Sequence, residues 1–343
     1  MIVQTGTGSA TCHHQRELSW RAIVKVLVTG GAGFIGSHLA IQLLELGFAV
    51  RVLDNFATGR RSNVHALGPE VELIEGDIQS YERVTKAITG CEVVFHQAAL
   101  PSVPRSVQDP LTSNATNVIG TLNVLLAARD HEVRRVIYAS SSSVYGAKGE
   151  PSKSEHHPCV PISPYATAKL AGENYARSFH DVYGLETVAL RYFNVFGPRQ
   201  DPTSQYSAVI PNFITALLEE RPPVIFGDGE QSRDFTFVAN VVQANILAMD
   251  APGIAGNAYN VACGESVTLN RLVTELRDLL GCDVEPVHAA SRAGDIRHSL
   301  ADLSRAGLDL GYEPAVRLRE GLQRTIDYLR TERRLSEPTI GAM

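Results

Sequence analysis

The stretch VKVLVTGGAGFIGSHLAIQLLELGFAVRVLD, residues 24–54, decides the fold. VKVLVTG (24–30) is a short apolar, valine-rich run closed by glycine, which reads as a parallel strand buried on both faces. FIGSHLAIQLLELG (34–47) follows with helical periodicity and stops on a glycine, and AVRVLD (49–54) is a second strand. Between the first strand and the helix, Gly30, Gly33 and Gly36 form a G-x-x-G-x-x-G turn that also holds Phe34 and Ile35. Glycines at that place let the backbone turn tightly and approach a pyrophosphate, which then sits on the helix N-terminus. Asp54 closes the second strand, eighteen residues beyond Gly36, with Asn55 next to it. A carboxylate there accepts hydrogen bonds from a ribose diol and repels a 2′-phosphate, so the pattern favours NAD over NADP. Arg60 and Arg61 stand close by and weigh the other way.

Strands and helices keep alternating beyond this unit. VELIEGD (71–77) and CEVVFHQAA (91–99) read as strands, NVIGTLNVLLAARD (117–130) as a helix, and RRVIYASSSSVYG (134–146) as a strand entering a serine-rich loop. SPYATAKLAGENYARSFHDVYG (163–184) is a helix and ETVALRYFNVFGP (186–198) a strand ending in a loop. This order predicts an α/β fold, a Rossmann-type doubly wound parallel sheet with right-handed crossovers. Asp77 follows the third strand where it can cap an adenine amino group, with Ile78 against the ring, and Ala98 and Ala99 are small enough for a cofactor to pass closely. His96 reads as a packed histidine rather than a ligand. After residue 200 prolines interrupt the pattern and the elements shorten. The expected division is an N-terminal arm over 1–22, the NAD-binding domain over 23–200, and a smaller mixed α/β substrate lobe over most of 201–343. Segments at about 232–262 are expected to return to the first domain.

Bulk properties narrow the function classes. The chain has 343 residues, 44% hydrophobic and 20% charged, with a net charge of −6. That composition suits a soluble domain of this size and argues against a general nucleic-acid or membrane-surface binder, whose footprint is basic. No apolar run reaches membrane-spanning length. The first twenty residues lack the layout of a signal peptide and read as a loose arm with a short helix near 15–20. Five scattered cysteines without metal spacing point to reduced thiols, a cytoplasmic protein and no metal site.

The helix at 163–184 carries chemistry. Tyr165 and Lys169 stand four residues apart, so both project from one helical face, and the strand before that helix ends in Ser140 to Ser143. Strand ends and following helices meet at the carboxyl edge of such a sheet, where ligands bind. A neighbouring ammonium is expected to lower the phenol pKa and make Tyr165 a general base near neutral pH. A serine hydroxyl would bridge the phenol and a substrate oxygen.

With the glycine turn, Asp54, the serines and Y-x-x-x-K in order, the chain from about Val24 to Tyr328 resembles the extended short-chain dehydrogenase/reductase family, and within it the nucleotide-sugar 4-epimerases. HQAALPSVPRSVQDPLTSNATNVIGT, LRYFNVFGPRQDP and GDIRHSLADLS look like the UDP-N-acetylglucosamine 4-epimerases. The resemblance implies Ser141, Tyr165 and Lys169 as catalytic residues, with Ser142 and Ser143 touching the sugar. It also implies Asn117 beside the active site and cofactor, and Asn194 on the nucleotide diphosphate. Val209 and Ile210 would lie against uracil, Arg233 and Arg292 would clamp the diphosphate, and Asp295 would hold the uridine ribose. It implies removal of the 4-hydroxyl proton by Tyr165, hydride transfer to bound NAD, rotation of the 4-keto sugar and return of hydride to its other face.

Departures choose among relatives. Ser142 and Ser143 stand where related 4,6-dehydratases carry an Asp-Glu pair, and no glutamate marks a uronate decarboxylase at Ser143. Asn194 stands where UDP-glucuronate 4-epimerases often have threonine, which weakens that alternative without removing it. Ser299 matches the position beside the sugar C2 substituent, where a small residue admits an N-acetyl group and also the smaller hexose. A non-catalytic dinucleotide-binding sensor or scaffold is the alternative of another class. It would usually lose the tyrosine, the lysine or the diphosphate clamp, and all are present. The resemblance also implies a homodimer through helices like 117–130 and 165–183.

Overall fold

A computed structural model describes residues 24–147, 150, 152–201, 209–291 and 297–336. The expected arm and its helix near 15–20 lie outside the described residues. Seven parallel strands form the central sheet: β1 (Lys25–Thr29), β2 (Ala49–Asp54), β3 (Glu72–Glu75), β4 (Val93–His96), β5 (Arg135–Ser141), β6 (Glu186–Tyr192) and β7 (Asn257–Val261). Their order is β7-β6-β5-β4-β1-β2-β3, so strand order reverses between β1 and β4 and opens a crevice there. Crossover helices cover both faces, which is why the strands read as continuous apolar runs. Helices α1 (Phe34–Glu45), α2 (Tyr81–Ile88), α3 (Gly120–Asp130) and α4 (Pro164–Tyr183) precede the smaller lobe. That lobe contains α5 (Val209–Leu218), α7 (Leu269–Leu280) and α8 (Leu318–Ser336), and α6 (Val238–Asp250) returns to the sheet. Val26 and Val28 pack with Leu39 and Leu43 of α1 and Val241 of α6 on one face. Leu27, Val94 and Val136 pack with Val84, Leu125 and Phe179 on the other. A third core, including Phe196, Phe213, Leu272 and Leu322, belongs to the smaller lobe.

The seventh strand comes from residues 257–261 and pairs with β6, Ala258 opposite Ala189. The helix expected over 117–130 differs from the expectation. Helical chain begins earlier, at Val103–Gln108 and Pro110–Asn114, and passes through a π turn over Ala115–Ile119 before α3. Ser102 and Asp109 cap the two short pieces, each with a proline in the first turn, so local capping rather than apolar periodicity defines them.

Helix α4 starts where its sequence dictates. The Ser163 hydroxyl accepts from the Ala166 N–H at 3.2 Å, Pro164 occupies the first turn, and Gly184 ends the helix at φ +72°. Gly172 sets how closely it packs on β5, because a Cβ there would overlap the Tyr138 hydroxyl. Gly172→Ala is therefore expected to destabilise the fold by about 1–3 kcal/mol through overpacking. Urea denaturation reads this, and a midpoint equal to that of the parent chain would show that α4 tolerates displacement from β5.

Candidate active site

The carboxyl ends of the central strands open into a cleft of about 1120 Å³. Its deepest wall is the glycine turn. Gly30 has φ +70°, and a Cβ there would stand 2.7 Å from the Ala98 nitrogen. A Cβ on Gly36 would overlap the Gly30 carbonyl. Backbone thus packs on backbone, and the first turn of α1 presents its N–H groups to the cleft beside Gly33, Phe34 and Ile35. Asp54 stands next to this turn. Its Oδ2 accepts from the Ala32 N–H at 2.9 Å and its Oδ1 from the Phe56 N–H at 2.8 Å. Burial raises the carboxyl pKa and these two N–H groups oppose the rise. Arg60 pairs with Asp201 at 2.6 Å, while Arg61 holds both oxygens of Glu75 and lies 4.2 Å over the Phe56 ring. Both guanidinium groups that weighed towards a 2′-phosphate are thus engaged elsewhere. Asp77 accepts from the Asn55 amide at 2.7 Å and from the Gln79 N–H at 2.8 Å, and Asn55, Asp77, Ile78, Ala98 and Ala99 all line the cleft. The glycine cradle, the helix N-terminus and the Asp54 carboxylate on the cleft wall fit a dinucleotide.

Beyond the cradle, β5 and α4 bring the serines and the tyrosine together. Ser141, Ser142, Ser143 and Tyr165 line the cleft, and the Ser141 hydroxyl donates to Ser143 Oγ at 3.1 Å. The Tyr165 N–H donates to Ser106 Oγ at 3.0 Å, which ties the start of α4 to the helix at 103–108. Burial raises the Tyr165 phenol pKa, and a hydrogen bond with Ser141 opposes that rise. The expected lowering by Lys169 is not among these influences. Lys169 is 4% exposed, and its Nζ donates to the Ala139 carbonyl at 2.8 Å. Burial pulls its pKa down to about 7 against the pull of Glu173. In this arrangement the ammonium is anchored on β5 rather than on the phenol.

Other expected residues lie further out. Asn117 is buried, and its amide accepts from Leu100 N–H at 2.8 Å and donates to the Leu100 carbonyl at 3.2 Å. The π turn aims it at that loop, so it shapes the loop after β4. Asn194 lines the cleft at φ +32°, and its Nδ2 donates to the Asp234 carbonyl at 3.3 Å. The Asp234 carboxylate is fully buried and gathers the N–H groups of Cys263, Gly264 and Ala301 at 2.9, 3.0 and 3.1 Å. Burial pushes its pKa up to about 6 against those bonds. Arg233 donates from Nη1 to the Ser232 carbonyl at 2.8 Å, and the Ser299 N–H donates to the same carbonyl at 3.1 Å. The Ile210 side chain is buried in the core of the smaller lobe, and Val209 is half-buried against that core. Arg292 and Asp295 lie outside the described residues. His96 is a packed histidine, bonded to Thr29 at 2.8 Å and Thr121 at 3.0 Å, and burial takes its pKa to about 3.

Residues 26–262 match the NAD dependent epimerase/dehydratase family. The chain belongs to that family. A solved UDP-N-acetylglucosamine 4-epimerase from Methanobrevibacter ruminantium M1, in complex with UDP-N-acetylmuramic acid, is 41% identical with a TM-score of 0.87, over 90% of this chain and 99% of that one. The UDP-glucose 4-epimerase of Mycolicibacterium smegmatis is 39% identical over 90% of this chain and 99% of its own length. The UDP-glucuronate 4-epimerase of Thermodesulfobacterium geofontis is 31% identical over 88% and 95%. The family's cofactor is NAD, which agrees with the cradle and with Asp54.

Reading the sequence missed part of the wall. Ser102, Val103, Arg105, Gln108 and Thr112 line the cleft from the short helices after β4, and Gln200 and Asp201 line it from the loop after β6. The Ser102-x-Pro104 and Asp109-Pro110 pairs were the available signal. Among the described residues no group of three His, Cys, Asp or Glu gathers for a metal ion. Asp54→Asn replaces one carboxylate oxygen by a donor facing backbone N–H groups, so NAD affinity is expected to fall roughly tenfold, about 1.4 kcal/mol. Calorimetric titration with NAD measures it, and an unchanged Kd would remove Asp54 from the ribose site.

Proposed function

We propose that this protein is an isomerase that inverts C4 of a UDP-sugar, interconverting UDP-N-acetylglucosamine and UDP-N-acetylgalactosamine and also taking the smaller UDP-glucose and UDP-galactose. The observation that carries the reading is the meeting of Ser141 and Tyr165 on the wall of the dinucleotide cradle, with Lys169 one turn along the same helix. NAD, when bound, supplies the two-electron acceptor and donor for C4. Tyr165 takes the proton of the 4-hydroxyl as the carbonyl forms and returns it afterwards, and Ser141 holds the sugar oxygen against the phenol. Asn194, Arg233, Arg292 and Asp295 hold the nucleotide, the arginines suiting a diphosphate with forked donors. Val209 and Ile210 border the uracil. Ser299 leaves room for the acetamido group.

UDP-glucuronate is the second reading. Arg105 on the cleft wall offers a guanidinium for a uronate carboxylate, and one relative carries that activity in its name. Scattered free cysteines suit a reducing cytoplasm, where nucleotide sugars are made. The protein is read as a homodimer through α3, the short helices that lead into it and the outer face of α4. Val107, Leu111 and Val182 there are 63%, 82% and 70% exposed, an apolar surface that a second copy would cover.

Side-by-side assays of UDP-N-acetylglucosamine, UDP-glucose and UDP-glucuronate, resolved by NMR, are expected to rank the acetylated sugar first. A preference for glucuronate would overturn the reading of Asn194 and Ser299. Tyr165→Phe is expected to lose roughly 10²–10⁴-fold in turnover while still binding NAD and UDP. Light scattering is expected to give a dimer that Leu111→Glu dissociates, and a monomeric parent chain would remove the interface.

A further inference from the structure

Helix α4 carries a third titratable side chain in the same row. Tyr165, Lys169 and Glu173 stand at i, i+4 and i+8, so Glu173 lies one turn beyond the lysine on the same face. Glu173 is 7% exposed. Its carboxylate accepts from the Ser140 hydroxyl, immediately before Ser141, and from Arg191 of β6, with Nε to Oε1 at 3.0 Å and Nη2 to Oε2 at 2.7 Å. Arg191 is 6% exposed and donates from Nη1 to the Tyr145 hydroxyl at 2.9 Å. That hydroxyl donates to Asn260 Oδ1 at 2.7 Å, and the Asn260 amide reaches the carbonyls of Lys153 and Asp302 at 2.8 and 3.1 Å. One connected row thus runs from α4 through β5, β6 and β7 to the smaller lobe.

A buried ion pair is weak ground for stability, because the cost of desolvating two charges offsets their attraction. The position of this one suggests another use. The groups facing Lys169 come from every element packed on it. From α4 they are the Tyr165 phenol and Glu173. From β5 they are the Tyr138 ring, 5.1 Å from the ammonium, and the Ala139 carbonyl at 2.8 Å. From β4 comes His96, which burial keeps neutral, and from β6 comes Arg191 through its pair with Glu173. Glu173 is the anion of this set. Burial works against the Arg191 charge, and the Glu173 carboxylate more than offsets it, so Arg191 stays charged.

We propose that Glu173, held by Arg191, is a positioning residue that keeps Lys169 protonated beside Tyr165 and fixes Ser140 next to Ser141. This rests on the reading of Tyr165 and Lys169 as the reacting pair. The ammonium is the useful form, so activity falls as pH rises through the lysine pKa, and a lower pKa moves that loss to lower pH.

The chain has five lysines, so NMR of enzyme labelled with ¹³C-lysine can follow Lys169 directly, its signal assigned with Lys169→Met. In Glu173→Gln the Lys169 titration is expected to move down by about one pH unit, with and without NAD. The alkaline limb of kcat is expected to move with it, while KM for the UDP-sugar stays constant and Glu173→Asp recovers part of the shift. If Glu173→Gln does not fold, because Arg191 is left unpaired, Glu173→Gln combined with Arg191→Gln removes both charges and is expected to show a smaller shift in the same downward direction, since the cation that opposes the ammonium is removed with the anion. A folded variant with the parent Lys169 titration and alkaline limb would overturn the proposal. So would a double variant that cannot fold, since the row would then be a structural element. If the parent enzyme turns over no UDP-sugar, or Tyr165→Phe keeps full activity, the proposed function fails, and the Lys169 titration still judges Glu173.

Discussion

Two stretches of backbone touch at the point where strand order reverses, and the absence of a methyl group there underlies the rest of the site. Gly30 rests on Ala98, Gly36 on Gly30, and a Cβ on Gly31 would stand 2.7 Å from the Val52 methyls. Only by this close packing does the start of α1 come down to the crevice between β1 and β4, where its free N–H groups face the cleft. The small residues after β4 and the tight loop after β2 follow from the same demand. Gly59 meets Ala32 so closely that its own Cβ would stand 2.8 Å from the alanine side chain. The cradle is therefore specified by what the side chains lack, while the opposite wall is specified by what they carry.

That difference explains what could be read from the sequence. A strand buried on both faces needs a nearly continuous apolar run, and β1 and the middle of β5 announce themselves in that way. Asp54 and the Tyr165–Lys169 pair are legible because short spacing fixes them, along a strand end or a helical face. The wall at residues 102–112 was hidden because its helices are short, polar and set by caps. The fates of Arg60, Arg61 and Lys169 depend on Asp201, Glu75 and the Ala139 carbonyl, partners that no local pattern reveals. The burial of the Ile210 side chain depends likewise on a core assembled from α5, α7 and α8.

A buried charge sits at the join between sheet and smaller lobe, beside the apolar contacts that Phe34, Ile35 and Val195 make with the lobe's core. Asp234 has peptide N–H groups for partners, drawn from the chain after β7 and from Ala301, and its own carbonyl takes the Asn194 amide. A buried carboxylate with several N–H donors can keep its charge without a cation, because the peptide dipoles replace water. Three chain segments thereby converge on one anion beside a cleft-lining residue.

Because β7 is encoded at residues 257–261, the outer edge of β6 has no neighbour while most of the chain is being synthesised. The first six strands can emerge and pair in order, but the ribosome must deliver more than sixty further residues before the seventh arrives. Until then β6 presents an unpaired row of peptide groups, the kind of edge that seeks strands from other chains. A gene fragment cut at the apparent end of the nucleotide-binding half would leave that row permanently open, so the boundary suggested by composition is a poor place to divide this protein.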